Sequence, residues 1–491
     1  MQKVIILTSG GSVAVAARLL AKAGTTSGEV KQEAFPDGEI HHQLETPVDN
    51  SEVVVCGNFD FTQPDQTMEL FDVASLAVDE GAVGLTLITP EDRRSDKHVR
   101  FFRRVQARML SAIPDTPLGN RVLPVDEQTM SMPVYRKPAL RRRASKRAAS
   151  GAAIDLFEYR GAPVLFATKS YGYMATDFLE LHAFQAGDCQ REEGSGLVTG
   201  VRGVAGRDVV IVGGTIDHAE TIDLYLLANA VYEAGAVSLT IVVPYFGYAT
   251  MERGKPELHE AVKAAYRARL ISSIPTCPLG NRVVLTDLHS EGIPHYFHGV
   301  RTTHVYAVKR IIMEMVQERL GGRICTTDAG RGKWAESLVK DINKVLKARG
   351  IDIANFWQAA FALKDRKSGS ETELLGVLGD VAGLDIDLFD DMIRRGSTAI
   401  DAAVGYRAGI VGKAGTGCRK IRFIASHGVL PGSALDRLRT AIDQQGQLLF
   451  DEVIVTDSHT NAVRLAGDFL KVKPISYILV QEVLRLLRPG I

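Results

Sequence analysis

At 491 residues the chain is long enough for about three domains of ordinary size, and a hydrophobic share of 45% suits packed cores. Lys plus Arg and Asp plus Glu number 58 each, so no net field draws in nucleic acid or a lipid surface, and no apolar run reaches the length of a membrane span. The five cysteines (Cys56, Cys189, Cys277, Cys325, Cys418) are widely spaced and contain no CxxC pair, which argues for reduced thiols in a cytoplasmic compartment and against a zinc site.

The N-terminal stretch Met1–Thr8 turns polar too soon for a signal peptide and reads as a first strand. Much of the chain up to residue 283 is an internal duplication. Ala112-Ile113-Pro114-Asp115-Thr116-Pro117-Leu118-Gly119-Asn120-Arg121-Val122 returns as Ser273-Ile274-Pro275-Thr276-Cys277-Pro278-Leu279-Gly280-Asn281-Arg282-Val283. Upstream, Gln106-Ala107-Arg108 returns as Arg267-Ala268-Arg269, and Gly81-Ala82-Val83 returns as Gly235-Ala236-Val237. Each copy alternates short apolar strands (Val4–Leu7, Val53–Cys56, Leu85–Ile88; Val164–Ala167, Val209–Val212, Leu239–Val243) with helical stretches, an α/β pattern with a parallel sheet. Between the copies, Arg136–Ala148 is a basic, Ala/Ser-rich run that reads as a solvated linker.

From about residue 309 the pattern is new: helix Tyr306–Leu320, strand Ile324–Thr327, helix Lys333–Arg349, strand Phe356–Leu363, then Ile386, Leu388 and Phe389 in a buried strand. Two carboxylates, Asp390 and Asp391, stand at the carboxyl end of that strand, where open parallel sheets place their ligands. Gly396, Ser397 and Thr398 then open a helix whose free N–H groups suit a phosphate. Strands Ile421–Ser426 and Glu452–Thr456 and helix Ser476–Leu487 complete the chain. The domains are therefore placed at 1–133, a linker at 134–160, a second copy at 161–308 and a C-terminal domain at 309–491.

Leu388-Phe389-Asp390-Asp391-Met392-Ile393-Arg394-Arg395-Gly396-Ser397-Thr398 resembles the ribose-5-phosphate loop Asp-Asp-x-x-Asp-Thr-Gly-Gly-Thr of ribose-phosphate diphosphokinases (PRPP synthetases). Other motifs occur in that family's order: Pro244-Tyr245-Phe246-Gly247-Tyr248, Leu285-Thr286-Asp287-Leu288-His289, and Thr327-Asp328-Ala329-Gly330-Arg331-Gly332 for Pro-Asp-x-Gly-Gly. Next come Lys364-Asp365-Arg366, Ser426-His427-Gly428 and Val455-Thr456-Asp457-Ser458. Thr250-Met251-Glu252-Arg253 is nearer the plant-type second class. Phe35-Pro36-Asp37-Gly38-Glu39-Ile40 matches the adenine-clamping Phe-x-Asp-Gly-Glu, which the second copy lacks.

The resemblance implies tandem phosphoribosyltransferase-like (type I) domains with parallel sheets, three in this chain, and transfer of the diphosphoryl group of ATP to ribose 5-phosphate. It assigns catalysis to Lys364 and Arg366 on a mobile loop, and the acceptor to Asp390, Asp391, Arg394, Arg395, Gly396, Ser397 and Thr398. ATP falls to Phe35, Asp37, Glu39, Arg253 and His289, and Mg²⁺ to His289 and Asp328, with contact to a phosphate oxygen a rival for the histidine. His427 and His459 read as structural. Arg394 and Arg395 replace an acidic residue and a hydroxyl. They suit tighter phosphate binding or a bulkier acceptor such as ADP-ribose. A regulatory subunit of weak activity and a PRPP-consuming transferase are the rival classes. A homo-oligomer is expected, with no membrane or nucleic-acid partner.

Overall fold

The structure, a computed structural model, describes residues 3–9, 16, 25–90, 99–125, 161–181, 183–316, 321–327, 329–352, 356–368, 371–409 and 416–487. The basic run 136–148 lies outside the described residues. They form two compact units, one of residues 1–284 and 290–303 and one of 285–289 and 304–491.

The first unit contains two sheets of the same design. The first copy runs β1 (Val4–Thr8), β2 (Thr25–Ser27), β3 (Val30–Ala34), β4 (Ile40–Leu44), β5 (Glu52–Cys56), α1 (Pro64–Asp79), β6 (Gly84–Pro90), α2 (Val99–Ser111) and β7 (Asn120–Val125). The second runs β8 (Val164–Ala167), α3 (Gly172–Glu180), β9 (Gln185–Ala186), β10 (Asp188–Arg191), β11 (Val198–Arg202), β12 (Asp208–Val212), α4 (His218–Glu233), β13 (Ser238–Val243), α5 (Lys263–Ser272), β14 (Asn281–Thr286) and β15 (Arg301–Val305). The sheet orders are β2-β1-β5-β6-β7 and β9-β8-β12-β13-β14-β15, so the sequence repeat is also a topological one. Strands such as Val209–Val212 are apolar throughout because both faces of a parallel sheet are covered. Each copy carries an antiparallel hairpin outside its sheet, β3–β4 and β10–β11, which the strand pattern did not reveal.

The two copies pack through their helices in a pseudo-symmetric manner. Arg108 of α2 reaches Glu233 of α4 at 3.0 Å, and Arg269 of α5 reaches Asp79 of α1 at 3.0 Å. The repeat register equates Arg108 with Arg269 and Asp79 with Glu233, so each pair is the other's mate under an internal two-fold.

The second unit runs α6 (Ala307–Val316), β16 (Gly322–Thr326), α7 (Gly332–Ala348), β17 (Trp357–Ser368), β18 (Glu371–Leu378), β19 (Asp385–Ile393), α8 (Ser397–Ala408), β20 (Lys420–Gly428), α9 (Ala434–Thr440), β21 (Glu452–Thr456), α10 (Thr460–Leu465), β22 (Leu470–Lys473) and α11 (Ser476–Leu487). Its sheet is ordered β18-β17-β16-β19-β20-β21-β22, parallel except for the β17–β18 hairpin. Central strand β19 feeds two cores: Ile386 and Leu388 pack with α8, and Phe389 packs with residues of α6 and α7. Strand β19 continues through both carboxylates to Ile393, beyond the end expected at Asp390. All five cysteines are free thiols, four of them buried. No helix among the described residues is long and apolar enough to cross a membrane.

Candidate active site

The acceptor-loop residues stand at the carboxyl end of β19, the centre of the second unit's sheet. Asp391 is almost fully buried, and its Oδ2 accepts from the Nδ1–H of His289 and from Arg331 Nη2 at 2.7 Å. The same Arg331 nitrogen lies 3.3 Å from His289 Nδ1 and donates to the His289 carbonyl at 3.4 Å. Burial alone would raise the Asp391 pKa; the hydrogen bond from His289 and the charge of Arg331 outweigh it and hold that carboxyl well below the usual range. At Asp390 burial and the negative charge of Asp391 act together and raise the pKa, so of the two carboxyls Asp390 takes up a proton more readily.

His289 is brought there by a firmly anchored turn. Asp287 adopts a left-handed φ of 41°. Its Oδ2 accepts from the Val308 N–H at 2.9 Å at the start of α6, and its carbonyl accepts from His427 Nε2 at 3.0 Å. The Leu288 N–H donates to His304 Nε2 at 2.9 Å. His427 is buried, its Nδ1 faces the Ser458 hydroxyl at 2.7 Å, and burial lowers its pKa to about 4, so it is a neutral brace. Buried His459 accepts from Asn461 N–H at 3.1 Å, where it caps α10.

Beyond the carboxylates, Gly396 has φ +79° and precedes α8, whose first-turn amides have no acceptor within the helix. Ser397, Thr398 and Arg395 are exposed there, and Arg394 is half-buried. Exposed hydroxyls, helix-start amides and a cation give this corner the chemistry of a phosphate cradle.

The resemblance places Lys364 and Arg366 on a mobile loop. Their backbone instead belongs to β17, paired with Leu374 and Thr372 of β18, and register shifts flank the pair between Leu363 and Lys364 and between Arg366 and Ser368. A β17–β18 hairpin with register shifts is a different backbone support from an open loop. The side chains of Lys364 and Arg366, and the whole of Asp328, lie outside the described residues.

Mg²⁺ prefers several oxygen ligands at close, regular distances. Among the described residues no cluster of three or more metal-ligating side chains is present. The oxygen that His289 could share with a metal is already held by a guanidinium. The Oδ2 of Asp391 is therefore a poor ligand for Mg²⁺ as the described residues stand.

The remaining expected residues belong to the first unit. Phe35, Pro36, Asp37 and Gly38 form the tip between β3 and β4; Phe35 N–H bonds Glu39 O at 2.7 Å and Gly38 takes φ +87°. Phe35 and Asp37 are half-buried, but Glu39 is buried and accepts from the backbone N–H of Tyr248 in the second copy. Leu44 N–H to His259 O at 3.2 Å and Ala261 N–H to His42 O at 3.0 Å continue that seam. Arg253 stands exposed, 3.8 Å from Glu252.

Residues 164–274 match the family model described as the N-terminal domain of ribose phosphate pyrophosphokinase. The chain is 29% identical over 290 residues to a ribose-phosphate pyrophosphokinase of Brucella melitensis, covering 57% of this chain and 82% of that one. A ribose-phosphate pyrophosphokinase of Shewanella oneidensis is 27% identical over 284 residues, covering 57% of this chain and 79% of that one. Its relatives are ribose-phosphate pyrophosphokinases. The crystal structure of phosphoribosylpyrophosphate synthetase from Mycobacterium smegmatis superposes with a TM-score of 0.53 at 22% identity, covering 67% of this chain and all of that one, a likeness of fold. The pyrophosphokinase family match spans β8 to α5 of the first unit, upstream of the carboxylate loop.

Arg331 is the residue that sequence reasoning overlooked. It stands where the pyrophosphokinase motif Pro-Asp-x-Gly-Gly has its last glycine, and that departure was the available signal. His427 is structural, as expected from the sequence, but the contacts by which it and Asp287 anchor the turn join distant segments and carried no such signal.

Proposed function

We propose that the chain is a ribose-phosphate diphosphokinase, transferring the diphosphoryl group of ATP to the C1 hydroxyl of ribose 5-phosphate. The observation that carries this reading is the Asp390–Asp391 pair, half-buried and buried respectively, at the rim of a central parallel strand, followed by a glycine-opened helix start. Asp391 and Asp390 would accept hydrogen bonds from sugar hydroxyls. The Gly396–Thr398 turn and its arginines would hold the 5-phosphate. Lys364 and Arg366 would stabilise charge on the migrating diphosphate, a task of positioning and electrostatics more than covalent chemistry. Mg²⁺ belongs with the ATP phosphates in this reading. We further assign residues 1–133 as a second copy of the enzyme's N-terminal half, nearer the plant-type class. Its Phe35–Glu39 tip would supply the adenine clamp from within the chain, a role supported by the Glu39 bond to Tyr248 and the neighbouring Leu44 bond to His259.

The test is AMP release from ATP. Ribose 5-phosphate should support it, and Lys364→Ala should lower turnover by about two orders of magnitude or more, nearly 3 kcal/mol of transition-state stabilisation, while ATP still binds. The engagement of Asp391 by Arg331 favours a second reading, an acceptor bulkier than ribose 5-phosphate or a weakly active regulatory chain. AMP release only with a nucleoside-diphosphate ribose, or none at all, would select it.

A further inference from the structure

We propose that Arg331 is the resident cation of the carboxylate pair: a positioning residue that holds Asp391 and His289 together, so that this corner needs no divalent ion of its own. The inference rests on the reading of Asp390 and Asp391 as the acceptor site. Three features of the second unit carry it.

The first is saturation. Asp391 Oδ2 is held from two sides, by the His289 imidazole and by Arg331 at 2.7 Å, and its side chain is only 9% exposed. A metal ion at that oxygen would have to displace a cation already there. The second is span. The Arg331 guanidinium also donates to the His289 carbonyl at 3.4 Å, so one side chain ties the 285–289 turn to the end of β19. The third is support. Arg331 ends the short turn Ala329–Arg331, which directly precedes α7 and packs against β17.

An arginine differs from Mg²⁺ in ways that matter to an acceptor. It stays charged at any working pH, cannot leave with product, and offers donors in a fixed plane. A magnesium ion at the same corner would meet like-charge repulsion from the guanidinium and would lose oxygens from its preferred six. The acceptor carboxylate is thus compensated before any nucleotide arrives. A glycine at 331 would remove that charge and leave the Asp391 carboxylate and the His289 imidazole, already in contact, open to a metal such as Mn²⁺ that completes its shell with water.

The experiment titrates the full chain with Mn²⁺ alone, without nucleotide or sugar phosphate, followed by electron paramagnetic resonance. The wild type should show no site above weak nonspecific binding, and Asp391→Asn should not change its titration. Arg331→Gly should gain one site per chain at least tenfold tighter, and Arg331→Gly/Asp391→Asn should lose it again. Arg331→Lys, which keeps the charge, should behave as wild type. The inference is overturned if the wild type binds one Mn²⁺ that Asp391→Asn abolishes, or if Arg331→Gly, folded by circular dichroism, gains none. Neither substrate enters this titration, so its failure is separate from a failure to release AMP, which would instead remove the enzymatic reading.

Discussion

A methyl group at position 396 would meet Leu438 Cδ2 at 3.0 Å, on a backbone whose φ of +79° already disfavours any L side chain. The glycine is thus required twice, by conformation and by space, in the turn that carries β19 into α8. Gly396→Ala should destabilise the chain by about 1–2 kcal/mol in denaturant unfolding. If the turn holds the 5-phosphate, the same change should raise the acceptor KM roughly tenfold with a smaller effect on kcat. An unaltered KM would separate the turn's structural need from a binding role. Arg331 shows the opposite kind of residue: no backbone demand calls for it, and its meaning comes from the Asp391 oxygen and the His289 carbonyl it touches.

Among the elements, α4 holds a buried carboxyl that couples folding to pH. Glu220 stands in its first turn, bonded by the Thr168 hydroxyl and by the Gly214 N–H at 3.3 Å, yet burial pushes its pKa up to about 7. A raised carboxyl favours the folded state while protonated. That contribution is complete below the unfolded value near 4.5 and is lost as pH rises through about 7. Relative to Glu220→Gln, the wild type should therefore lose on the order of 3 kcal/mol of stability between pH 4 and pH 8, read from denaturant midpoints across that range. A constant difference would mean that the carboxyl finds water in the folded chain.

The helices and central strands were legible because their patterns are local: β19, β20, β21, α7 and α11 fall within a few residues of expectation. The hairpins β3–β4 and β10–β11 were not, since their strands are short and one strand of each, β3 and β10, buries no apolar face. Likewise β17 outran its apolar run, because β18 pairs with its polar half through backbone bonds. The carboxylate pair was legible by its place after an apolar strand; its partners His289 and Arg331, 102 and 60 residues away respectively, were joined to it only by folding.

Across the whole chain the duplication poses a question of pairing that the first unit answers asymmetrically. Asp72 of α1 is fully buried and receives Lys263 Nζ at 2.8 Å and Arg267 Nη1 at 2.8 Å, both from α5 and both fully buried. The repeat register equates Asp72 with Leu226, Lys263 with Phe102 and Arg267 with Gln106. One side of the internal two-fold is thus an ionic triad, while its mate is built from two apolar residues and a glutamine. Two identical copies could not make this interface, because each would need both members of every equated pair. The triad therefore selects the first copy against the second and disfavours pairing of like with like. Such a cluster adds little net stability when intact, since desolvation offsets the Coulomb gain, but breaking it is costly. Asp72→Asn leaves two buried cations facing each other and should destabilise the chain by about 3–5 kcal/mol in denaturant unfolding. The triple change Asp72→Leu/Lys263→Phe/Arg267→Gln installs on this side the residues of its mate and should recover most of that loss. It should also remove the bias between copies, so that size-exclusion and light scattering detect new self-association. A triple variant as unstable as Asp72→Asn would show that the two sides are not equivalent in shape, and the internal two-fold would then hold for the ion pairs Arg108–Glu233 and Arg269–Asp79 but not for the centre of the interface.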